Sequence, residues 1–507
     1  LDEAFVATIT KISLVTPPYH SGVVESAGTW LNLGFVYIAG ALRKAGYAVD
    51  YYDAMSHWHT WPDIEGRLKS FRADVVATTA FTASIDDALE LLALAKKINP
   101  QIVTVLGNVH ATFCYEDILT HHADTVDFVV IGEGEETLPE LLDCLNRGER
   151  PDTVAGLAFL EAGGLVTTGQ RPFIEDLDSL ETAWDLVEWP IYTYRPKKDS
   201  VLAIVSSSRG CRQNCSFCSQ QLFWKRSWRA RSPKNFVDEL AHLNKKHGVT
   251  VVMLADEIPT LDRKRWECIL DLLIERQIGV KLLMETRVDD ILRDADIMAK
   301  YRLAGVEHIY VGVEAGSQAT LDIFKKDTRI EQSKQAIDII NGADIVSETS
   351  FVLGMPNETP ESIAKTIELA KHYSPDMAFF LAIAPWPYAD LYETLKPHVV
   401  SFDFRRYNLV APVVKPVAMT IAELEKELAG AAQKFFMHKF QNLDKLSPWK
   451  QEFMIAVLDL LMNHSYLGEQ MKGMADGHQE MPAEVQKIFQ KLGGKHGGKG
   501  KAIAPIP

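Results

Sequence analysis

Two α/β units in series, followed by a helical region, are what this 507-residue chain predicts. Three observations carry that reading. Over the first 150 residues short apolar strands alternate with helical stretches, the pattern of a doubly wound parallel sheet. From Val201 the pattern restarts as six strand–helix pairs, which suggests a partial (β/α)6 barrel. From about Val400 the strands stop and helix-forming sequence takes over. The divisions expected are 1–150 for a Rossmann-like unit, 151–196 for a linker, 197–399 for the barrel, 400–492 for a helical domain and 493–507 for a disordered tail.

In the first unit Lys11 to Val15 is a short buried strand, followed by a loop holding Pro17, Pro18, Tyr19, His20, Ser21 and Gly22. Leu33 to Ala45 reads as a helix stopped by Gly46, where a C-cap glycine belongs. Tyr47 to Asp53, Asp74 to Thr79, Ile102 to Leu106 and Phe128 to Ile131 read as strands, with a helix from Ile85 to Lys97. Such a sheet presents ligands with the loops at its carboxyl edge, here Thr16 to Gly22, Thr79 to Ser84, Gly107 to Phe113 and Gly132 to Glu135. No G-x-G-x-x-G follows the first strand, so a dinucleotide is disfavoured. The linker carries a hairpin-like pair, Gly156 to Leu160 and Leu165 to Thr168, then an acidic stretch with Pro172 and Pro190, and reads as wrapped on the surface. The barrel strands are expected at Val201 to Ser206, Thr250 to Ala255, Val280 to Glu285, His308 to Val313, Val346 to Leu353 and Met377 to Ala384. Helices follow at Ile421 to Phe436 and Pro448 to Met462, before a glycine- and lysine-rich tail from Gly493.

A hydrophobic content of 47% and 24% charge belong to an ordinary globular protein. A net charge of −15 argues against a nucleic-acid surface, which needs a basic stripe. The first residues lack a basic region leading into an apolar one, so no signal peptide is expected. The longest apolar run, Met377 to Trp386, is about half of a membrane span, so no transmembrane segment is expected. Cys114, Cys144 and Cys268 stand singly, which fits a reducing cytoplasm.

Cys211, Cys215 and Cys218 are different: they form a C-x3-C-x2-C run preceded by Arg209-Gly210 and containing Phe217. An odd number of thiols leaves one unpaired, against a disulfide framework. A structural zinc site needs four ligands, and no fourth Cys or His stands at zinc-finger spacing. Three thiolates can hold three irons of a cubane and leave the fourth open. The run resembles the radical S-adenosylmethionine (SAM) superfamily, where the open iron chelates SAM and one electron releases a 5′-deoxyadenosyl radical. Val311-Gly-Val-Glu-Ala-Gly-Ser-Gln318 resembles that family's G-x-E-S-G-S segment, with Ala315 for the usual first Ser. The resemblance therefore points to Glu314 and Ser317 at SAM, although Ser317 equally suits a helix N-cap. Arg287, ending the third barrel strand, suits the SAM carboxylate or a structural ion pair. Asp256 and Glu257 point to opposite faces if extended, so only one, Glu257, is expected to face the cavity. The Gly354-Met-Pro-Asn-Glu-Thr359 turn reads as a cap for the next helix. Aromatic Gln220 to Lys225 and Pro385 to Tyr388 would shield a cluster, stack on a flat ligand or simply form core.

Upstream of such a run, the first unit resembles the cobalamin-binding domain of cobalamin-dependent radical SAM enzymes, through Leu106 to Thr112 and Ile131 to Glu135. Tyr19, His20, Ser21, Thr79, Thr82, Gly107, His110, Gly132 and Glu133 are the expected cofactor-binding residues there, with Phe217 beside the cluster. D-x-H-x-x-G is absent, so His110 is expected as a loop histidine near the corrin or its nucleotide tail and not as a cobalt ligand. Pro18-Tyr-His-Ser-Gly22, Asp53-Ala-Met55, Thr104 to Phe113, Cys215 to Gln220, Leu254 to Glu257, Thr286-Arg-Val288, Ile291 to Asp294 and Pro385-Trp-Pro387 resemble the anaerobic magnesium-protoporphyrin IX monomethyl ester oxidative cyclase family. The C-terminal seventy residues do not share that resemblance. It implies a 4Fe-4S cluster, SAM and cobalamin, a magnesium porphyrin substrate, closure of the isocyclic ring of chlorophyll pigments, and an electron donor such as flavodoxin or ferredoxin. A cobalamin-dependent C-methyltransferase is the alternative, and a non-catalytic cobalamin or redox sensor the third reading.

Overall fold

The computed structural model describes residues 8–21 and 27–463. Gly22, the part of the expected helical domain beyond 463 and the tail expected at 493–507 lie outside them. The first unit is a seven-stranded sheet: β1 (Lys11–Val15), β2 (Ala48–Tyr52), β3 (Val75–Thr79), β4 (Val103–Gly107), β5 (Phe128–Val130), β6 (Leu157–Glu161) and β7 (Gly164–Thr167). Their order is β2-β1-β3-β4-β5-β6-β7, parallel through β5 and antiparallel beyond. The hairpin expected in the linker thus forms, and it extends this sheet. Strands β1 and β3 are buried on nearly every residue because helices cover both faces.

Those helices are α1 (Leu33–Lys44), α2 (Trp61–Phe71), α3 (Ile85–Ile98), α4 (Val109–His121) and α5 (Thr137–Asn146). Asn32 caps α1 by accepting the Phe35 N–H at 3.0 Å, and Asp86, Asp87, Lys96 and Lys97 place charge of the favourable sign at the two ends of α3. The expected loop Gly107 to Phe113 is a correction: the chain is helical from Val109. Gly107-Asn108 hides that start, since Asn108, at φ +81°, caps α4 with its own side chain on Val109 N at 2.6 Å.

The second unit is a six-stranded parallel sheet curled as a partial barrel: β8 (Leu202–Val205), β11 (Val251–Leu254), β12 (Lys281–Thr286), β13 (Val306–Val311), β14 (Val346–Leu353) and β15 (Met377–Ala382), neighbours in chain order. Between β8 and β11 a two-residue antiparallel ladder joins β9 (Ser208–Arg209) to β10 (Arg229–Ala230) and closes off the cysteine loop as an excursion. The acidic stretch after β7 is not confined to the surface: Trp184, Trp189 and Tyr192 are buried, and the Tyr192 hydroxyl donates to Asp53 at 2.8 Å. Apolar rings in that stretch have burial to gain, which its charge obscured. Behind the barrel, helix Ile421–Gln441 packs on β15 and helix Pro448–Asn463 follows. Lys439 and Lys450 clamp both helices to the fully buried Asp376, at 3.1 and 2.7 Å.

Candidate functional site

The cysteine loop leaves β9 through Gly210, whose φ of +99° and close approach to the Ser227 carbonyl leave no room for a Cβ. Glu257, at the end of β11, accepts the Gly210 N–H at 3.0 Å and the Trp224 indole N–H at 2.7 Å, tying both ends of the loop to the barrel. Asp256 turns the other way and binds Ser207 through its N–H and hydroxyl, both at 2.7 Å, as the alternation of a strand requires. Midway, Ser216 donates from N to Phe324 O at 2.9 Å and from its hydroxyl to Ile323 O at 2.8 Å, while Phe217 packs on Phe324.

The three cysteines lie within range of one another's charge. Burial pushes Cys218 up to about 12 and raises Cys211; neighbouring cysteines raise both further. Burial thus disfavours bare thiolates at Cys218 and Cys211, and iron is the kind of charge that would hold them. No three His, Cys, Asp or Glu side chains among the described residues converge on a single metal ion. A cubane fits, because each thiolate then binds its own iron.

Next to the loop, Arg287 begins the helix after β12 and is 93% buried, with Nε donating to Asp289 at 3.0 Å. Its Nη2 is buried with no partner, which leaves one donor free for a carboxylate. Glu314 is held at φ +67° between β13 and β14 and pairs with Lys326 at 2.8 Å. Glu285, at the end of β12, is pushed up to about 8, first by burial and then by Glu257 and Glu314. One unpaired guanidinium edge and a surplus of carboxyl groups fit SAM, which carries a carboxylate, an ammonium and a sulfonium. Ser317 does not join them: it is exposed and caps helix Gln318–Ile323 through Thr320 N at 3.2 Å.

Two cavities meet where the carboxyl edges of the sheets face each other. The first, about 550 Å³, is walled by Thr16, Tyr19, Thr79, Gly107, Gly132 and Glu133 of the first unit, and by Arg209, Phe223, Trp224 and Glu257 of the second. Asn108 Nδ2 donates to Thr79 at 2.7 Å, and Gly132, at φ +82°, turns the backbone along the floor. A broad cavity edged by backbone and aromatic rings suits a corrin. Glu133 lines it, yet its carboxylate is fully engaged: it accepts from Arg209 at 2.7 Å, from Arg229 twice at 3.0 Å and from Ile174 N at 2.8 Å. Glu135 takes the other arm of Arg209 at 2.6 Å, and Arg229 lies over Phe173 and Trp224. Glu133 is thus a clamp between the units, a role sequence reasoning missed.

The second cavity, about 320 Å³, runs from Cys218 and Phe217 to Glu314, Thr82 and Tyr388. Phe81 lines both cavities and is 56% exposed. Two expectations change. His110 is not a loop residue; it sits in the first turn of α4, 2% exposed, lines neither cavity and is 3.1 Å from the Thr82 hydroxyl. His20 stacks on Trp58 at 3.7 Å, and neither it nor Ser21 lines the two cavities.

Comparison with known proteins agrees with this architecture. Residues 19–142 match the B12 binding domain and residues 205–370 the radical SAM superfamily. The chain is 40% identical over 434 residues to the anaerobic magnesium-protoporphyrin IX monomethyl ester cyclase of Rubrivivax gelatinosus, covering 85% of this chain and 78% of that protein. It is 30% identical over 434 residues to an uncharacterized methyltransferase of Pyrococcus horikoshii, covering 85% and 93%. The solved structure of the cobalamin-dependent SAM radical enzyme OxsB, with aqua-cobalamin and SAM bound, shares the fold at a TM-score of 0.69, 18% identity and coverage of 96% and 75%. Two α/β units with this cysteine loop at their junction, and a relative this similar along both, place the chain in the cobalamin-dependent radical SAM family that includes the anaerobic magnesium-protoporphyrin IX monomethyl ester cyclases.

Proposed function

We propose that this enzyme is an anaerobic oxidative cyclase that forms the isocyclic ring of chlorophyll pigments from magnesium-protoporphyrin IX monomethyl ester. The observation that carries the reading is 40% identity to a cyclase, running through both units. When bound, the cluster with SAM supplies a 5′-deoxyadenosyl radical and the cobalamin supplies one-electron chemistry.

The chain's own residues hold these groups. Cys211, Cys215 and Cys218 ligate three irons, Gly210 and Glu257 fix the loop that carries them, and the free edge of Arg287 takes the SAM carboxylate. Thr79, Gly107 and Gly132 floor the cobalamin cavity, while Phe81, Phe217 and Trp386 give a flat apolar substrate its contacts. No helix among the described residues is long and apolar enough to cross a membrane. We place the enzyme in a reducing, oxygen-free cytoplasm, with a flavodoxin or ferredoxin as electron donor.

The alternative is C-methyl transfer, which the Pyrococcus relative brings to mind by its name. One assay separates them: the protein is reconstituted anaerobically with iron, sulfide and cobalamin, then given reductant, SAM and magnesium-protoporphyrin IX monomethyl ester in 18O-labelled water. A ring-closed product with a labelled keto oxygen and no added carbon supports the cyclase. A methylated product with S-adenosylhomocysteine overturns it.

A further inference from the structure

The second cavity is apolar along most of its wall and polar at two places. One is the barrel group of Tyr310, Glu314 and Ser350; the other is Thr82 with Tyr388, at the boundary between the units. Tyr388 lies in the loop after β15, and Thr82 follows β3, 306 positions earlier, yet their hydroxyls are 2.8 Å apart. The same Thr82 oxygen is 3.1 Å from His110 Nδ1. Thr82 is 1% and His110 2% exposed. Phe113 stacks on the Tyr388 ring at 4.8 Å, and Phe404 lies edge-on to His110 at 5.2 Å. Rings on both sides hold the three groups in a line that crosses from one unit to the other and ends in the cavity.

Three groups sharing two hydrogen bonds form a chain with a direction, and the imidazole tautomer sets it. With hydrogen on Nδ1, His110 donates to Thr82, Thr82 donates to Tyr388, and the phenol proton is left for a ligand. With hydrogen on Nε2 the chain reverses and the phenol offers only lone pairs. Burial holds His110 down to about 4, so at neutral pH the ring is uncharged and one of these senses obtains. The titratable groups around the chain are Asp117 for His110, and Cys114 and Cys218 for Tyr388.

We propose that Tyr388 is the polar anchor of the second cavity, donating a hydrogen bond to an ester or carboxyl oxygen on an arm of an otherwise apolar, planar substrate, with Thr82 and His110 as positioning residues behind it. The proposal rests on the cyclase reading for its substrate, which carries such an arm. A single fixed donor in an apolar wall selects an acceptor on the ligand, because a polar oxygen buried without a partner is costly. Anchored there, the arm lies in the same cavity as Cys218.

Two experiments test this on the full chain. In the reconstituted enzyme, Tyr388→Phe and Thr82→Val are expected to raise the ratio of 5′-deoxyadenosine to ring-closed product by about 10-fold, as a misheld arm uncouples radical formation from closure. Thr82→Ser keeps the hydroxyl and restores the wild-type ratio. An unchanged ratio in both Tyr388→Phe and Thr82→Val overturns the proposal. In the cofactor-free protein, absorbance titration compares magnesium-protoporphyrin IX monomethyl ester with magnesium etioporphyrin, which has alkyl arms only. The wild type is expected to prefer the ester, and Tyr388→Phe to lose about 3- to 10-fold of that preference. Equal preference in the two proteins sinks the anchor. Should the wild type methylate its substrate, the cyclase reading fails while the binding comparison still judges Tyr388.

Discussion

Replacing Glu133 by alanine is expected to loosen the junction between the two units without unfolding either. Its carboxylate accepts four hydrogen bonds, one from Arg209, two from Arg229 and one from Ile174 N, and is 6% exposed. Both arginine side chains are 11% exposed, so solvent screens the pairs little. Removal leaves Arg209 with Glu135 and the Tyr37 ring, and Arg229 with one carbonyl, that of Ile174, and two aromatic faces. Breaking a buried pair from one side costs about 3–5 kcal/mol, mostly from the guanidinium left behind. The assay is native-state hydrogen exchange over residues 205–231, where the opening free energy should fall by that amount while β3 and β13 keep theirs. Glu133→Ala/Arg229→Ala should recover part of the loss, because no charge is then stranded. The pH sign follows from the same contacts. Burial raises the Glu133 carboxyl, but the Arg229 hydrogen bonds and both arginine charges outweigh it and hold it below its ordinary 4.5. Its contribution is therefore complete above the unfolded value and lost as pH falls through the folded one, so the junction loosens in acid only. A cost under about 1 kcal/mol for Glu133→Ala would refute the clamp.

Cys218→Ala is expected to remove iron binding and 5′-deoxyadenosine formation while circular dichroism stays native, checked by iron count and chromatography. Gly210→Ala forces a Cβ against the Ser227 carbonyl at φ +99°, so cluster yield on reconstitution should drop and loop stability fall by about 1–3 kcal/mol. Arg287→Ala should weaken SAM binding by about 10-fold or more with the iron content unchanged, as anaerobic calorimetry would show.

Strand positions were readable because buried parallel strands are nearly continuous apolar runs, and all six barrel strands fall within two residues of where periodicity puts them. α4 was not readable, because its first turn follows a Gly-Asn pair that signals a turn. The cysteine loop was legible as spacing, and Gly210 and Glu257 as neighbours of motifs. Arg209–Glu133, 76 positions apart, and Thr82–Tyr388, 306 apart, were not. Each is a single polar pair whose partner is chosen by how two units dock, and no local period encodes that. His20 and Ser21 drew attention through the loop they share with Tyr19, but Trp58 captures the His20 ring instead. Resemblance can name a loop; only packing decides which of its side chains turn inward.

The junction also constrains how the site can work. Each sheet alone would present its carboxyl edge to water, and either cavity would then be an open groove. Facing edges make each unit the roof of the other's cavity, so Cys218 and the glycine-edged floor open onto adjoining cavities. Phe81, lining both cavities from just beyond β3, is a wall the two share. The buried Arg209–Glu133–Arg229 network holds that geometry along one wall of the first cavity, where Arg229 lies over the Trp224 ring, and it leaves the second cavity's aromatic wall untouched. Glu133 lies at the first cavity and Tyr388 at the second, and for that reason the two can be perturbed separately.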